Sequence, residues 1–194
     1  MIGADEQVFE WINGFVGTWA WFDNTMKLLV SDFFLPVLIA AAAWSLWFTG
    51  KTSAERLPNQ MGFLYGAIGA GFANLFIRLL NQQFARARPF VTLEDVQVLF
   101  YRPTDPSFPS NAAAYAFAMA AGVWLVNRRM GTVIGVGALL FSGARVYAGM
   151  HFPLDVIGGA LIGILTAYLF YRILGLLQPI VDFAFSVLRR LFLA

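Results

Sequence analysis

Five apolar runs, nearly free of charge, constrain this chain more than any other feature. Residues 33–49 and 109–127 carry no charged side chain. Residues 61–80, 131–150 and 153–171 carry one each, Arg78, Arg145 and Asp155. Each run approaches the roughly 20 apolar residues that a helix needs to cross a bilayer. Charged residues make up 12% of the chain, against about 25% in a soluble domain. Mean hydropathy is +0.68. A water-soluble globule of this length has too little interior to hide that surface, so the solvent is lipid. In lipid every backbone polar group must be satisfied within the span, which favours helices.

The fold class expected is all-α: a polytopic membrane helix bundle of five to six transmembrane helices plus an N-terminal interfacial helix. Residues 1–25 mix Asp5, Glu6 and Glu10 with Val8, Phe9, Trp11, Ile12, Phe15, Val16 and Trp19, the pattern of a helix lying at the interface. Residues 26–174 form the bundle itself, and residues 175–194 a C-terminal helix, interfacial in preference to a short sixth span. One domain accounts for the whole. Small residues at four-residue spacing (Gly62, Gly66 and Ala70; Gly131 and Gly135; Gly159 and Gly163) suit close helix packing. Lys51, Arg56, Arg128, Arg129 and Arg172 follow the odd-numbered spans, which makes that side cytoplasmic. The loop at 82–108 and the turn at His151 then lie outside.

The net charge of +2 is too small for a polyanion-binding surface, so no nucleic-acid partner is expected. No cysteine and a single histidine remove disulfides, thiolate zinc sites and multi-histidine metal centres. No metal or cofactor is expected.

Three polar clusters fall at helix ends on the outer side: Arg86-Ala87-Arg88-Pro89, Pro109-Ser110-Asn111-Ala112, and the stretch from Arg145 to Asp155. Singly, each has a structural explanation. The arginines snorkel to headgroups, Ser110 caps a helix, and Asp155 complements a helix dipole behind Pro153. Together they say more. Arg145 lies inside a span, where charges face the bundle interior and find partners. His151 stands four residues before Asp155, close enough for one imidazole nitrogen to donate to the carboxylate and leave the other free as a nucleophile. Arginines offer forked donors matched to phosphate oxygens, and a helix N-terminus attracts the same group. These parts suffice for phosphoryl transfer without a metal.

These residues resemble the type 2 phosphatidic acid phosphatase family, whose motifs run K-x6-R-P, P-S-G-H and S-R-x5-H-x3-D. Arg145, His151 and Asp155 match the third motif in spacing, Arg88-Pro89 the end of the first, and Pro109-Ser110 the start of the second, with Asn111 in the glycine place. The resemblance covers at least residues 61–171. It implies that His151 becomes phosphohistidine and that Asp155 orients it, while Arg88, Arg145, Ser110, Asn111 and Asn81 hold phosphate. Asn81 stands at the first-motif lysine position, and Arg78 is a candidate source of the missing charge; Ala144 replaces the serine of the third motif. Ala112 stands where the family has the histidine that protonates the leaving oxygen, and no other histidine is present to replace it. The chain is therefore read as a phosphatase disabled or impaired at that position. The alternative is a protein that binds or translocates lipid phosphate without turnover.

The implied partners are the membrane and a lipid phosphate substrate. By resemblance to bacterial members, the substrate is undecaprenyl pyrophosphate. Phosphatidylglycerophosphate and phosphatidic acid are the neighbouring alternatives. The implied location is the bacterial inner membrane, with the site on its extracytoplasmic face. Glu94, Asp95 and Asp105 read as a solvated loop face, and no role is assigned to them.

Overall fold

The computed structural model describes residues 3–191, which form helices joined by short turns and one long loop. In chain order these are α1 (Ala4–Asn13), α2 (Ala20–Leu29), α3 (Phe34–Ser45) running into a 3-10 turn at Leu46–Phe48, α4 (Ser53–Phe84), α5 (Pro89–Thr92), α6 (Asn111–Trp124), α7 (Arg128–Tyr147), α8 (Pro153–Leu176) and α9 (Gln178–Arg190). The protein is an all-α membrane helix bundle.

The centre of the bundle is α6, packed against α4, α7 and α8. Its inner surface is mostly alanine: Ala113, Ala114, Ala116 and Ala118 are fully buried. Small side chains let neighbouring backbones come close, the packing mode that works where water supplies no hydrophobic drive between helices. Gly159 shows the consequence. A Cβ at this position would strike the Ser110 carbonyl at the start of α6. That close approach carries a backbone bond in which Ser110 N–H donates to the Asp155 carbonyl at 2.9 Å. Gly135, from the same sequence pattern, faces open space.

The outer surface is apolar. Leu75, Phe76 and Leu79 on α4, Val133, Val136 and Leu139 on α7, and Leu161, Leu165 and Tyr168 on α8 are all exposed. Such a belt belongs in hydrocarbon.

The span pattern differs in detail from the five apolar runs. Among the described residues three helical stretches are long and apolar enough to cross: Ser53–Thr92, α7 and α8. A fourth crossing requires α2 and α3 with its 3-10 turn to act together across a 51° bend. The run at 109–127 yields a helix of 14 residues, about 21 Å long. Its apolar character comes from burial among other helices, not from contact with lipid. The N-terminal segment is two helices instead of one. The break holds Gly17 at φ 86°, and α2 continues past residue 25 to Leu29. α1 does more than lie at an interface, since Phe9 is buried against Val146 and Phe152. At the other end α9 folds back on α4, burying Val181 and Phe185 with Met61 and Tyr65. The last three residues of the expected C-terminal helix, and Met1 and Ile2 of the N-terminal one, lie outside the described residues.

Candidate active site

Four chain segments converge at one end of the bundle. α4 stops at Phe84, and Ala85 at φ 28° turns the chain into the extended stretch that carries Arg86 and Arg88. Pro89 then opens α5. Ser110 caps α6, its Oγ accepting from Ala113 N–H at 3.4 Å. Arg145 lies in the last turn of α7. Gly149 at φ 78° turns the chain so that His151 precedes α8. Pro153 takes the first position of α8, and Asp155 reaches back to accept from Phe152 N–H at 2.8 Å.

His151 is buried, with 3% of its surface exposed. Its Nε2 lies 3.3 Å from Arg88 Nη1 and 3.4 Å from Ser110 Oγ. Its Nδ1 is 3.0 Å from the Ser107 carbonyl oxygen. A carbonyl only accepts, so Nδ1 carries the hydrogen and Nε2 keeps its lone pair. This tautomer is assigned from that bond. Burial holds the imidazole neutral, pushing its pKa down to about 4, and the nearby Arg88 and Arg145 cations push the same way.

The carboxylate does not orient the imidazole directly, as the spacing suggests. Asp155 Oδ2 is 3.8 Å from Nδ1, too far for a hydrogen bond. Ser107 stands between them. Its hydroxyl donates to Asp155 Oδ2 at 2.5 Å while its carbonyl holds the ring. The other carboxylate oxygen accepts from Arg86 Nη1 at 2.7 Å. Arg86 Nη2 in turn donates to Asp5 of α1 at 2.7 Å, and Asp5 Oδ1 accepts from Leu154 N–H at 2.9 Å. The N-terminal helix is thereby tied to the base of the site.

The two arginines of the motifs face a cavity of about 400 Å3, lined by His151, Asn111, Ala112, Asn74, Tyr101 and Tyr115 among others. Each also holds a carboxylate. Arg88 donates from Nη2 to Asp105 Oδ1 at 2.9 Å and from Nη1 to the Met150 carbonyl at 2.8 Å. Arg145 Nη1 donates to Asp32 Oδ1 at 2.7 Å, while its Nε is buried without an acceptor among the described residues. Asp105 is half exposed on its loop, as expected, and in addition forms an ion pair with Arg88. Ala112 contributes only a methyl group. The phenols of Tyr101 and Tyr115 line the same cavity. Tyr115 donates to the Pro36 carbonyl at 3.1 Å. Tyr101 lies beside Asp32 and Arg145 in the cavity wall, and its pKa is raised, first by partial burial and then by Asp32. Asn81 lies apart from the arginines, in an adjoining pocket with Arg78 and Asn111.

The arrangement joins a neutral imidazole lone pair, two guanidinium groups and a helix N-terminus at one cavity. The PAP2 superfamily matches residues 61–178, a span that contains every one of these motif residues. The chain belongs to the PAP2 superfamily. It is 29% identical to undecaprenyl-diphosphatase BcrC of Bacillus subtilis over 160 residues, 82% of this chain and 79% of that one. Among solved structures, Aquifex aeolicus LpxE superposes with a TM-score of 0.65 at 27% identity, covering 86% of this chain and 93% of that one. A PAP2-type phosphatidylglycerolphosphate phosphatase from Bacillus subtilis superposes at 0.61 with 25% identity, covering 88% and 84%.

Sequence reasoning missed four members of this candidate site: Ser107, Asp32, Asp105 and Asp5. Ser107 and Asp105 sit in a loop without periodicity. Asp5 is 81 residues from its partner. One signal was available for Arg86: side chains two apart in an extended stretch share a face, and Arg86 meets Asp155 while Arg88 meets His151, two residues joined through Ser107.

Proposed function

We propose that this PAP2 chain dephosphorylates a membrane lipid diphosphate, undecaprenyl diphosphate, at the extracytoplasmic face of the bacterial inner membrane. One observation carries the chemistry: a neutral His151 whose Nε2 lone pair meets Arg88 and Ser110 while Nδ1–H is fixed by Ser107. Nε2 attacks the terminal phosphorus, and the bond from phosphorus to the bridging oxygen breaks. The leaving lipid phosphate carries that electron pair away. Arg88, Arg145, Asn111 and the Ser110 cap hold the three phosphoryl oxygens, whose charge they stabilise. Water then attacks phosphohistidine, giving inorganic phosphate and restoring the imidazole. Asp155 acts through Ser107 and by balancing the charge of the ring. The lipid assignment is supported by the relation to BcrC.

Ala112 offers no proton to the leaving oxygen, so the chain is slow. General acid help is worth about 10²–10⁴ in rate. An alkoxide leaving group suffers that loss fully. A phosphate leaving group suffers less, because its second pKa is about 6. The test is phosphate release from undecaprenyl diphosphate in detergent with EDTA, together with mass detection of phosphohistidine at His151. Labelled His151 and release abolished by His151→Ala are the expected results. Lipid binding with neither label nor release, even in Ala112→His, would leave a binding or translocating protein in its place.

A further inference from the structure

From Ser110 at the candidate active site, α6 runs to the opposite end of the bundle at Trp124. There the surface opens into an apolar groove of about 620 Å3. The groove exists because α7 and α8 both pack on α6 and hardly touch each other. Its floor is α6 from Phe117 to Leu125, about 12 Å at 1.5 Å per residue. Gly135, Val136 and Leu139 of α7 form one wall, and Leu165 and Tyr168 of α8 the other. A Cβ on Gly135 would meet nothing within 4 Å. The Thr132 hydroxyl in the α7 wall already donates to the Arg128 carbonyl at 2.8 Å. A narrow apolar trough between two membrane helices suits one hydrocarbon chain.

The mouth of the groove is basic. Arg128 stands one turn before Thr132 on the α7 wall, and Arg172 one turn after Tyr168 on the α8 wall. Both are exposed. The Arg128 guanidinium lies 4.9 Å from the ring centre of Trp124, which itself lines the groove. Arg86, Arg88 and Arg145 each hold a carboxylate, whereas among the described residues Arg128 and Arg172 hold none. The N-terminus of α7 adds the positive end of its dipole. A neutral lipid leaves these charges unmatched. A second copy lying parallel brings the same arginines to the same level and adds like charge. An anionic headgroup matches them, and basic pockets between membrane helices take such headgroups.

We propose that this groove holds one acyl chain of an anionic phospholipid of the cytoplasmic leaflet, with its phosphate between Arg128 and Arg172. The lipid is not a substrate, since its phosphate lies at the end of the bundle opposite His151. It fills the gap between α7, which carries Arg145, and α8, which carries Asp155, and so steadies the pair of helices on which the candidate active site is built.

Native mass spectrometry of the full chain, released from a neutral detergent, tests this by counting bound lipid during titration with phosphatidylglycerol or with phosphatidylcholine of the same acyl chains. Phosphatidylglycerol is expected to bind about fivefold tighter, the worth of one basic side chain beside an anionic headgroup. Arg128→Gln combined with Arg172→Gln is expected to bring that ratio to one. Gly135→Leu fills the groove where a Cβ has open space, and is expected to weaken the binding of both lipids. A ratio near one in the unsubstituted chain, a ratio that survives loss of both arginines, or binding indifferent to Gly135→Leu overturns the lipid groove. A dimer that Gly135→Leu dissolves puts a second copy there instead and overturns it equally.

Discussion

Replacing Arg86 by glutamine removes the cation that links α1 to the site. Asp155 is fully buried and Arg86 is 30% exposed, with 2.7 Å between them. Leaving a buried carboxylate unpaired costs about 3–5 kcal/mol when nothing else holds it. Here Ser107 hydroxyl and Phe152 N–H remain, and water reaches the arginine, so the expected loss is about 2 kcal/mol. For a chain of this length that lowers the melting temperature by about 4–8 °C. Asp5→Asn keeps an oxygen for Leu154 N–H and loses the charge and the oxygen that accepts from Arg86, so it isolates the ion pair with Arg86. The assay is thermal unfolding in detergent for both single variants and the double variant. In the Arg86→Gln background, Asp5→Asn should cost less than half of its cost alone. Strict additivity would refute the chain from Asp5 through Arg86 to Asp155. Phosphate release should fall with Arg86→Gln and recover in part with Arg86→Lys. Lysine keeps the charge but cannot bridge two carboxylates with a planar fork.

Four further outcomes follow from the same geometry. Ala112→His should raise phosphate release by about 10²–10⁴, with a larger gain on phosphatidic acid than on undecaprenyl diphosphate; equal gains on both would contradict the leaving-group argument. Asp105→Asn frees the buried Arg88 from an ion pair whose carboxylate is half exposed and therefore worth about 1 kcal/mol, so inorganic phosphate should bind about fivefold tighter, measured by calorimetry. Because the His151 pKa is pushed down to about 4, an unfolded chain with an ordinary histidine near 6.5 binds a proton first. Stability is therefore full above about pH 6.5 and falls as pH drops toward 4, a loss that His151→Gln should remove. Gly159→Ala drives a Cβ into the Ser110 carbonyl and should cost about 1–3 kcal/mol of stability, read as a lower melting temperature with a parallel loss of release.

What the sequence made legible and what it hid divide along one physical line. The motif residues could be found because each owes its position to local backbone chemistry. Ser110 caps a helix, Pro153 starts one, and Asp155 lies one turn after His151. Helix ends fix these positions within a few residues, so spacing alone brings them near one another. The apolar runs likewise announced a bundle. Their count was harder, because lipid-facing and helix-facing apolar surface look alike in composition, and α6 is apolar for the second reason. The ion pairs could not be found in this way. Asp5, Asp32 and Asp105 reach their arginines only through the tertiary fold, and a lone acid in an amphipathic segment or a loop has no pattern.

The hidden acids change the chemistry inferred from the visible arginines. Read alone, Arg86, Arg88 and Arg145 make a strongly cationic trap for phosphate. In the fold each is matched by a carboxylate, and His151 is neutral. The protein groups of the site therefore carry little net charge together, which avoids uncompensated cations in a partly desolvated cavity. Phosphate must compete with Asp105 and Asp32 for the guanidinium groups. Of the two, Asp105 is the more exposed, at 53% against 38% for Asp32, so displacing it costs less.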